Sequence, residues 1–138
     1  MKPGGWFARA KTGHGSRSRQ QSGEDAERIA ENFLIAKGLK LVARNYRCRF
    51  GEIDLIMQER ETLVFVEVRL RRHSHGAGDN NFGGAAASIT GNKRARIIAA
   101  AQHYLAGMKH LPPCRFDAVL MSGTHLAGIE WMHGAFEA

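Results

Sequence analysis

The sequence predicts one domain of the α/β class, in which two helices flank a mixed sheet in the order α-β-β-β-α-β-β. Three observations lead to this prediction. At 138 residues the chain can bury one hydrophobic core but not two comfortable ones. Two segments repeat apolar residues at helical spacing, and five short segments are typical of strands. A hairpin meander that continues through a helical crossover implies a sheet with both antiparallel and parallel pairs, and a right-handed crossover.

The first helix is predicted to follow an irregular N-terminal segment. Residues 1–22 are rich in Gly, Ser, Lys and Arg without any period, which predicts a flexible basic arm before a domain over residues 23–138. Ser22 suits the N-cap of a helix that starts at Gly23, and Gly38 suits its end. One apolar stripe of this helix faces the core. The stripe comprises Ala26, Ile29, Ala30, Phe33 and Leu34.

The remaining elements follow from alternation, helical spacing and breaking residues. Strands are predicted over residues 39–47, 52–58, 63–70, 115–121 and 126–132, with a turn at Phe50-Gly51. The glycine-rich polar stretch 71–91 predicts a mobile loop. A second helix is predicted over residues 92–107, with Thr90 or Asn92 as its cap. Its inward face comprises Ile97, Ile98, Ala101, Tyr104 and Leu105.

Charge and cysteine usage bound the function. The formal net charge is +7, which draws the protein toward polyanions, although a basic surface alone is a weak signal. Cys48 and Cys114 lie in no CxxC pair, so we expect reduced thiols and a cytoplasmic protein. No apolar run is long enough to cross a bilayer, and no secretory signal is visible, so no membrane partner is expected.

The second and third predicted strands carry the most informative pattern. They read Gly51-Glu-Ile-Asp-Leu-Ile and Leu63-Val-Phe-Val-Glu-Val-Arg. If the turn is centred between Arg60 and Glu61, apolar residues face each other across the hairpin. The predicted pairs are Ile56 with Phe65, Leu55 with Val66, Ile53 with Val68, Glu52 with Arg69, and Asp54 with Glu67.

The last of these pairs is unfavourable for folding alone. Two carboxylates at roughly 5 Å between Cβ atoms repel by about 3 kcal/mol at an effective dielectric near 20. A divalent cation between Asp54 and Glu67 would turn the repulsion into attraction, and oxygen ligands of this kind suit Mg²⁺ or Mn²⁺. Such an ion can promote hydrolysis of a phosphodiester. The alternative is that both acids are exposed and form salt bridges with Arg69, Arg71 or Arg47. Glu27, on the border of the first apolar stripe, is a candidate third carboxylate.

At these residues the sequence resembles the YraN family. The resemblance is carried by Gly23…Glu27…Ala30, Arg44-Asn45-Tyr46, Gly51-Glu-Ile-Asp-Leu-Ile, Phe65-Val-Glu-Val-Arg, Arg115-Phe-Asp and Ile129-Glu-Trp. It implies a restriction-endonuclease-like fold, similar to archaeal Holliday junction resolvases, with a nuclease site of the PD-(D/E)xK pattern. Asp54 then matches the Asp of the pattern, Glu67 its second acid and Glu27 a helix acid that joins the site. Arg69 stands where the pattern has Lys, and arginine can hold a phosphate but cannot act as a base.

Basic residues outside the hairpin are candidates for binding phosphates. Lys93, Arg94 and Arg96 open the second helix, where a phosphate would meet both the helix dipole and their charges. A solvated helix start is an equally good interpretation of these three residues. Arg69, Arg71 and Arg72 lead into the glycine-rich loop and could form a rim that binds DNA, in preference to RNA, by shape.

The sequence is compatible with three functions. The first is an Mg²⁺- or Mn²⁺-dependent endonuclease that cuts DNA, with branched or otherwise structured DNA as a candidate substrate and a homodimer as a candidate assembly. The second is a nucleic-acid-binding module on the same scaffold whose chemistry has decayed, which the arginine at position 69 favours. The third is an assembly factor that uses the domain as a platform for other proteins.

Overall fold

The computed structural model describes residues 19–71, 89–122 and 128–138; for residues 19–22 and 71 it describes the backbone only. The element order α-β-β-β-α-β-β is confirmed. The elements are α1 (Arg19–Ala36), β1 (Lys40–Cys48), β2 (Gly51–Glu59), β3 (Thr62–Arg71), α2 (Gly91–Leu105), β4 (Cys114–Ser122) and β5 (Ile129–Phe136). Neither of the two described helices is long and apolar enough to cross a membrane.

The five strands form one mixed sheet in the order β1-β2-β3-β4-β5. The pairs β1–β2, β2–β3 and β4–β5 are antiparallel, whereas β3 and β4 run parallel. The parallel pair requires a crossover, and α2 lies in the connection between its two strands. The predicted register of the β2–β3 hairpin is confirmed where the two strands pair, from Leu55 opposite Val66 and Ile56 opposite Phe65 to the turn.

One helix covers each face of the sheet, so the fold has three layers and two apolar cores. Against α1 pack the side chains of one set of alternate strand residues, which includes Leu55 and Val66. Against α2 pack those of the other set, which includes Ile56 and Phe65. The helix residues buried in these cores are Ala26, Ala30 and Leu34 of α1 and Ile97, Ala100 and Ala101 of α2. The predicted inward faces of both helices are therefore right in outline.

The structure corrects several boundaries. Helix α1 begins at Arg19, so Ser22 lies inside the helix and is not its N-cap. The helix does end as predicted, because Gly38 takes a φ of 105° that a side chain would disfavour. The cap of α2 is Thr90, whose hydroxyl accepts a hydrogen bond from the backbone N–H of Lys93. The predicted arm and glycine-rich loop lie mostly outside the described residues.

Two strands depart from the predicted bounds for a physical reason. The β1–β2 turn falls at residues 49–50 rather than at Phe50-Gly51, since Cys48 pairs with Gly51. Strand β5 starts at Ile129 and runs to Phe136, four residues beyond the predicted end. The aromatic ring of Phe136 stacks on that of Phe116, with 4.9 Å between centroids, and this contact extends the pairing of β5 with β4.

The alternation of faces breaks near Asp54. Ile53 and Ile56 lie three residues apart on β2, yet both belong to the core under α2. On the neighbouring strand Asn45 has a φ of 48°, in the left-handed region that Asn tolerates better than most residues. Strict alternation would place Glu52, Asp54 and Ile56 on one face of β2, and the structure departs from it. Both strands are irregular at the level of Asp54, and this irregularity sets the position of its carboxyl group.

Candidate functional site

Asp54 lies where β2 and β3 stop pairing. The ladder between these strands ends at the pair of Leu55 and Val66. One residue further on, the Oδ2 atom of Asp54 accepts a hydrogen bond of 2.8 Å from the backbone N–H of Val68. The side chain thus satisfies a donor that the ladder leaves free, which holds the carboxyl group in the fork between the two strands. This is a fixed position for a reactive or ligating group.

Two further carboxyl groups converge on Asp54. Glu67 projects from β3 with only 3% of its surface exposed, and Glu27 approaches from α1. Both lie within hydrogen-bonding reach of the Asp54 carboxyl group. The predicted meeting of Asp54 with Glu67 is thus present in the fold, and Glu27, the candidate third carboxylate, reaches Asp54. The alternative of exposed acids paired with arginines is wrong in the exposure of Glu67, which is buried, and right in its salt bridge with Arg69.

Burial and mutual repulsion make these groups hold protons. Burial first, and then the charge of Asp54, raise the pKa of Glu67 to about 7. Burial and the charge of Asp54 also raise the pKa of Glu27 to about 7, while a hydrogen bond from Asn45 acts the other way. Burial raises the pKa of Asp54 as well, against the opposing effect of the Val68 N–H. Near neutral pH the three groups therefore share fewer than three negative charges.

Helix α1 is fixed against β1 beside this cluster. The guanidinium of Arg44 forms a bidentate pair with the buried carboxylate of Glu31, at 2.8 Å from Nε to Oε1 and 3.1 Å from Nη2 to Oε2. Glu31 lies one helical turn after Glu27, so the pair sets the position of Glu27 as well. A cleft beside it is lined by Glu24, Glu27, Arg28, Glu31, Arg44, Asn45 and Leu55.

Two cations approach the cluster from the side of α2. The Nζ atom of Lys93 is 3.3 Å from Oε2 of Glu67, and Nη1 of Arg69 is 3.7 Å from the same oxygen. The predicted pair of Glu52 with Arg69 is wrong, because Glu52 accepts a hydrogen bond from Arg47 across the β1–β2 hairpin. The sequence placed Lys93 among phosphate-binding residues, but gave no sign that its amino group reaches Glu67.

The donor set suits a hard cation only in part. Within residues 19–71, 89–122 and 128–138, no three His, Cys, Asp or Glu side chains are arranged to hold a metal ion by themselves. Magnesium is commonly held by one or two carboxylates, with waters and substrate phosphates as its other ligands. Asp54 and Glu67 fit that requirement, because both are anchored and offer only oxygen donors.

The other predicted phosphate-binding residues are placed as follows. Arg94 and Arg96 lie in the first two turns of α2, the former half-buried and the latter exposed. The backbone of Arg71 ends β3, but its side chain and the whole of Arg72 lie outside what the structure describes. Arg94 and Arg96 share the beginning of α2 with Lys93, which places them on the element that borders the cluster.

A second buried acid was not singled out by sequence reasoning. Asp117 is fully buried and accepts four hydrogen bonds of 2.8–2.9 Å from Arg115, Trp131 and Gly134. Arg115 also contacts Glu59 at 2.9 Å, which ties β4 to β2. All four donors belong to β4 and β5, so the hydrogen bonds of Asp117 join these two strands and its role is structural. The Arg115-Phe-Asp and Ile129-Glu-Trp segments, which carry part of the family resemblance, contribute to these hydrogen bonds.

The fold and the site define a class of protein: a mixed α/β domain in which partly buried carboxyl groups gather at a fork between two strands of the sheet, with two cationic side chains beside them. The chain belongs to the uncharacterised protein family UPF0102, whose sequence profile matches residues 26–121. The matched range contains every residue of the acidic cluster and both cations beside it. The YraN resemblance is thereby confirmed as family membership.

Curated relatives match along nearly their whole length. A UPF0102 protein of Methylobacillus flagellatus is 53% identical over 120 residues, which cover 86% of this chain and 99% of the relative. A UPF0102 protein of Nitrosospira multiformis is 55% identical over 115 residues, covering 83% and 92%. A UPF0102 protein of Ralstonia nicotianae is 51% identical over 117 residues, covering 83% and 85%. None of these three names states an activity.

Proposed function

We propose that this protein is a metal-dependent endonuclease that cleaves phosphodiester bonds in DNA, with branched or otherwise structured DNA as its substrate class. The observation that carries the proposal is the convergence of Glu27 and Glu67 on Asp54 in a partly buried fork of the sheet. Like charges gathered in this way destabilise the fold, so their arrangement calls for a ligand that neutralises them. A protein with thiols that are all free, as Cys48 and Cys114 are, suits the reducing cytoplasm.

The chemistry of the site can be assigned to its residues. Asp54 and Glu67 would hold Mg²⁺ or Mn²⁺, and Glu27 would join them through its contact with Asp54. The bound cation would neutralise charge on the phosphodiester. Arg69 is only partly buried, with its Nη1 atom 3.7 Å from Oε2 of Glu67, so its guanidinium can also contact a phosphate of the bound strand. The net charge of +7 favours binding of the DNA backbone as a whole.

We propose in addition that the fold is related to those of restriction endonucleases and Holliday junction resolvases. The observed mixed sheet with helices on both faces is compatible with it, as is the sequence Glu67-Val-Arg69 on the strand after Asp54. The bordering positions on α2, which include Arg94 and Arg96, would contact the backbone without reading sequence. Arg71 and Arg72, which follow Leu70 in the sequence, are further candidates for contacts with the DNA backbone.

A cleavage screen tests the proposal. Purified protein is incubated with Mn²⁺ and with duplex, single-stranded, flap and four-way junction DNA, and the same screen is run with Asp54→Asn. The wild type is expected to cut at least one structured substrate, and Asp54→Asn none. Glu61→Gln is the matched control, because Glu61 is exposed in the β2–β3 turn away from the cluster. Cutting that persists in Asp54→Asn, or no cutting by the wild type, would contradict the proposal.

One observation favours a second candidate, a nucleic-acid-binding module without chemistry. Arginine at position 69 cannot act as a base, and the described side chains offer no complete set of metal ligands. This candidate predicts salt-sensitive DNA binding that survives Asp54→Ala and Glu67→Ala, together with the absence of cleavage. Binding by fluorescence anisotropy at two salt concentrations, run beside the cleavage screen, separates the two candidates.

A further inference from the structure

The amino group nearest to Glu67 comes from a different element than the sequence pattern suggests. Lys93 lies in the first turn of α2, and its Nζ is 3.3 Å from Oε2 of Glu67. Arg69, two residues after Glu67 on the same strand, is looser, with 3.7 Å between Nη1 and that oxygen. Both side chains are about one-third exposed, so each can meet Glu67 and a bound ligand at once.

The position of Lys93 needs an explanation that local structure does not give. A cation in the first turn of a helix opposes the helix dipole, and it is mildly destabilising there. The backbone N–H of Lys93 donates to the hydroxyl of Thr90 at 3.1 Å, so the cap fixes the residue from which the side chain extends. The lysine is therefore held in an unfavourable place and aimed at a buried acid, which is typical of a functional constraint.

We propose that Lys93 supplies the lysine of the nuclease site from α2, in place of a lysine at position 69. This inference rests on the proposed function and names a further catalytic residue for it. In the hydrolysis, the oxygen of a water bonds to phosphorus while the bond from phosphorus to the leaving oxygen breaks. One proton of that water goes to solvent, and the leaving oxygen takes one from solvent. The ammonium of Lys93 keeps its protons and stabilises the negative charge on the phosphoryl oxygens.

Lys93 and Arg69 then have different roles at this site. The compact ammonium of Lys93 can fit between Glu67 and a reacting phosphate, whereas the planar guanidinium of Arg69 is suited to a phosphate farther along the strand. Removing one well-placed charge stabiliser typically costs about 100- to 1,000-fold in rate. We therefore expect Lys93→Ala to lower the cleavage rate by roughly 100-fold or more, with a much smaller change in DNA affinity.

The experiment compares cleavage, DNA binding and metal binding in a set of full-length variants. Lys93→Ala is compared with Lys109→Ala, an exposed lysine just beyond α2, which is expected to behave as the wild type. Mn²⁺ affinity, measured by calorimetry without DNA, should stay the same or rise in Lys93→Ala, since a cation beside Glu67 is removed. If Lys93 has only a structural role, Lys93→Ala should lower the Mn²⁺ affinity, the cleavage rate and the melting temperature together.

Relocating the amino group gives the sharpest result. Adding Arg69→Lys to Lys93→Ala should restore the cleavage rate at least tenfold, because it returns an ammonium to the neighbourhood of Glu67. If Lys93→Ala does not fold, Lys93→Arg keeps the charge and should still cut at least tenfold more slowly than the wild type. A Lys93→Ala or Lys93→Arg protein that cuts at the wild-type rate would overturn the inference.

The two proposals fail in different ways. If the wild type cuts, Asp54→Asn does not, and Lys93→Ala still cuts, the nuclease stands and only the role of Lys93 is wrong. If double substitution gives no rescue while Lys93→Ala is inactive and loses Mn²⁺ binding, Lys93 is a structural residue and the inference is again overturned. If the wild type cuts nothing, both proposals fail together.

Discussion

Replacing Glu67 by glutamine should stabilise the metal-free protein at pH 8, even though it removes the contact with Lys93. The side chain of Glu67 is 4% exposed, and its pKa is raised from the usual 4.5 to about 7, chiefly by burial and then by the charge of Asp54. A group whose pKa is raised by folding stabilises the folded state most at low pH. Its contribution is complete below about pH 4.5 and is lost as the pH rises through 7.

The size of the effect follows from this shift. A rise from 4.5 to about 7 corresponds to a loss of about 3 kcal/mol in the free energy of unfolding between pH 4.5 and pH 8. Glutamine is nearly isosteric and cannot ionise, so Glu67→Gln escapes that loss. We therefore expect the variant to match the wild type at pH 4.5 and to exceed it by about 2–3 kcal/mol at pH 8.

Urea denaturation in the presence of a chelator measures this difference. Midpoints and slopes are compared at both pH values, since a change in midpoint at constant slope reports stability. Glu61→Gln serves as the control and should show the same small difference from the wild type at both pH values. The ionisation of Glu67 does not limit stability if Glu67→Gln is no more stable than the wild type at pH 8. The same conclusion holds if the variant is more stable by an equal amount at both pH values. Saturating Mn²⁺ should stabilise the wild type and leave Glu67→Gln unchanged.

Further predictions concern the metal, the second buried acid and two glycines. Binding of Mn²⁺ should strengthen as the pH rises through 7 and release about one proton or more at pH 6.5, measured by calorimetry in buffers of different ionisation enthalpy. Asp117→Ala should cost about 3–5 kcal/mol in urea denaturation, since it leaves four donated hydrogen bonds without an acceptor, and a smaller loss would contradict its structural role. Gly51→Ala should destabilise by about 1–3 kcal/mol, because its Cβ would lie 2.5 Å from the carbonyl oxygen of Arg96. Gly23→Ala meets nothing within 4 Å inside α1 and should stabilise by about 0.5–1 kcal/mol. If it instead has no effect, the helix does not extend before residue 23.

The sequence was sufficient for the β2–β3 hairpin because its pattern has one good register. In this register Leu55, Ile56 and Met57 each lie opposite an apolar residue, and a slip by one would reverse the faces. The same pattern brought Asp54 and Glu67 to neighbouring positions. Both carboxyl groups could therefore be selected from the register of the hairpin, even though the alternation of faces breaks near Asp54 in the structure.

The details that shape the site could not be predicted in the same way. The break in alternation at Asp54 depends on the backbone of Asn45 on another strand, and no periodic pattern encodes it. The contact of Lys93 with Glu67 depends on how α2 docks on the sheet, which is set by side chains spread over the core. The start of α1 was missed because Ser22-Gly23 is a good local cap signal that the longer helix overrides.

Anomalous scattering from a crystal soaked in Mn²⁺ would locate the ion that the proposed nuclease site requires. We expect a peak at the fork of β2 and β3, within about 2–2.5 Å of one oxygen from Asp54 and one from Glu67. The same soak of Asp54→Asn should leave that place without a peak. A wild-type map with no peak between these two carboxyl groups, at a pH above 8 and with Mn²⁺ in excess, would show that Asp54 and Glu67 do not form a metal site.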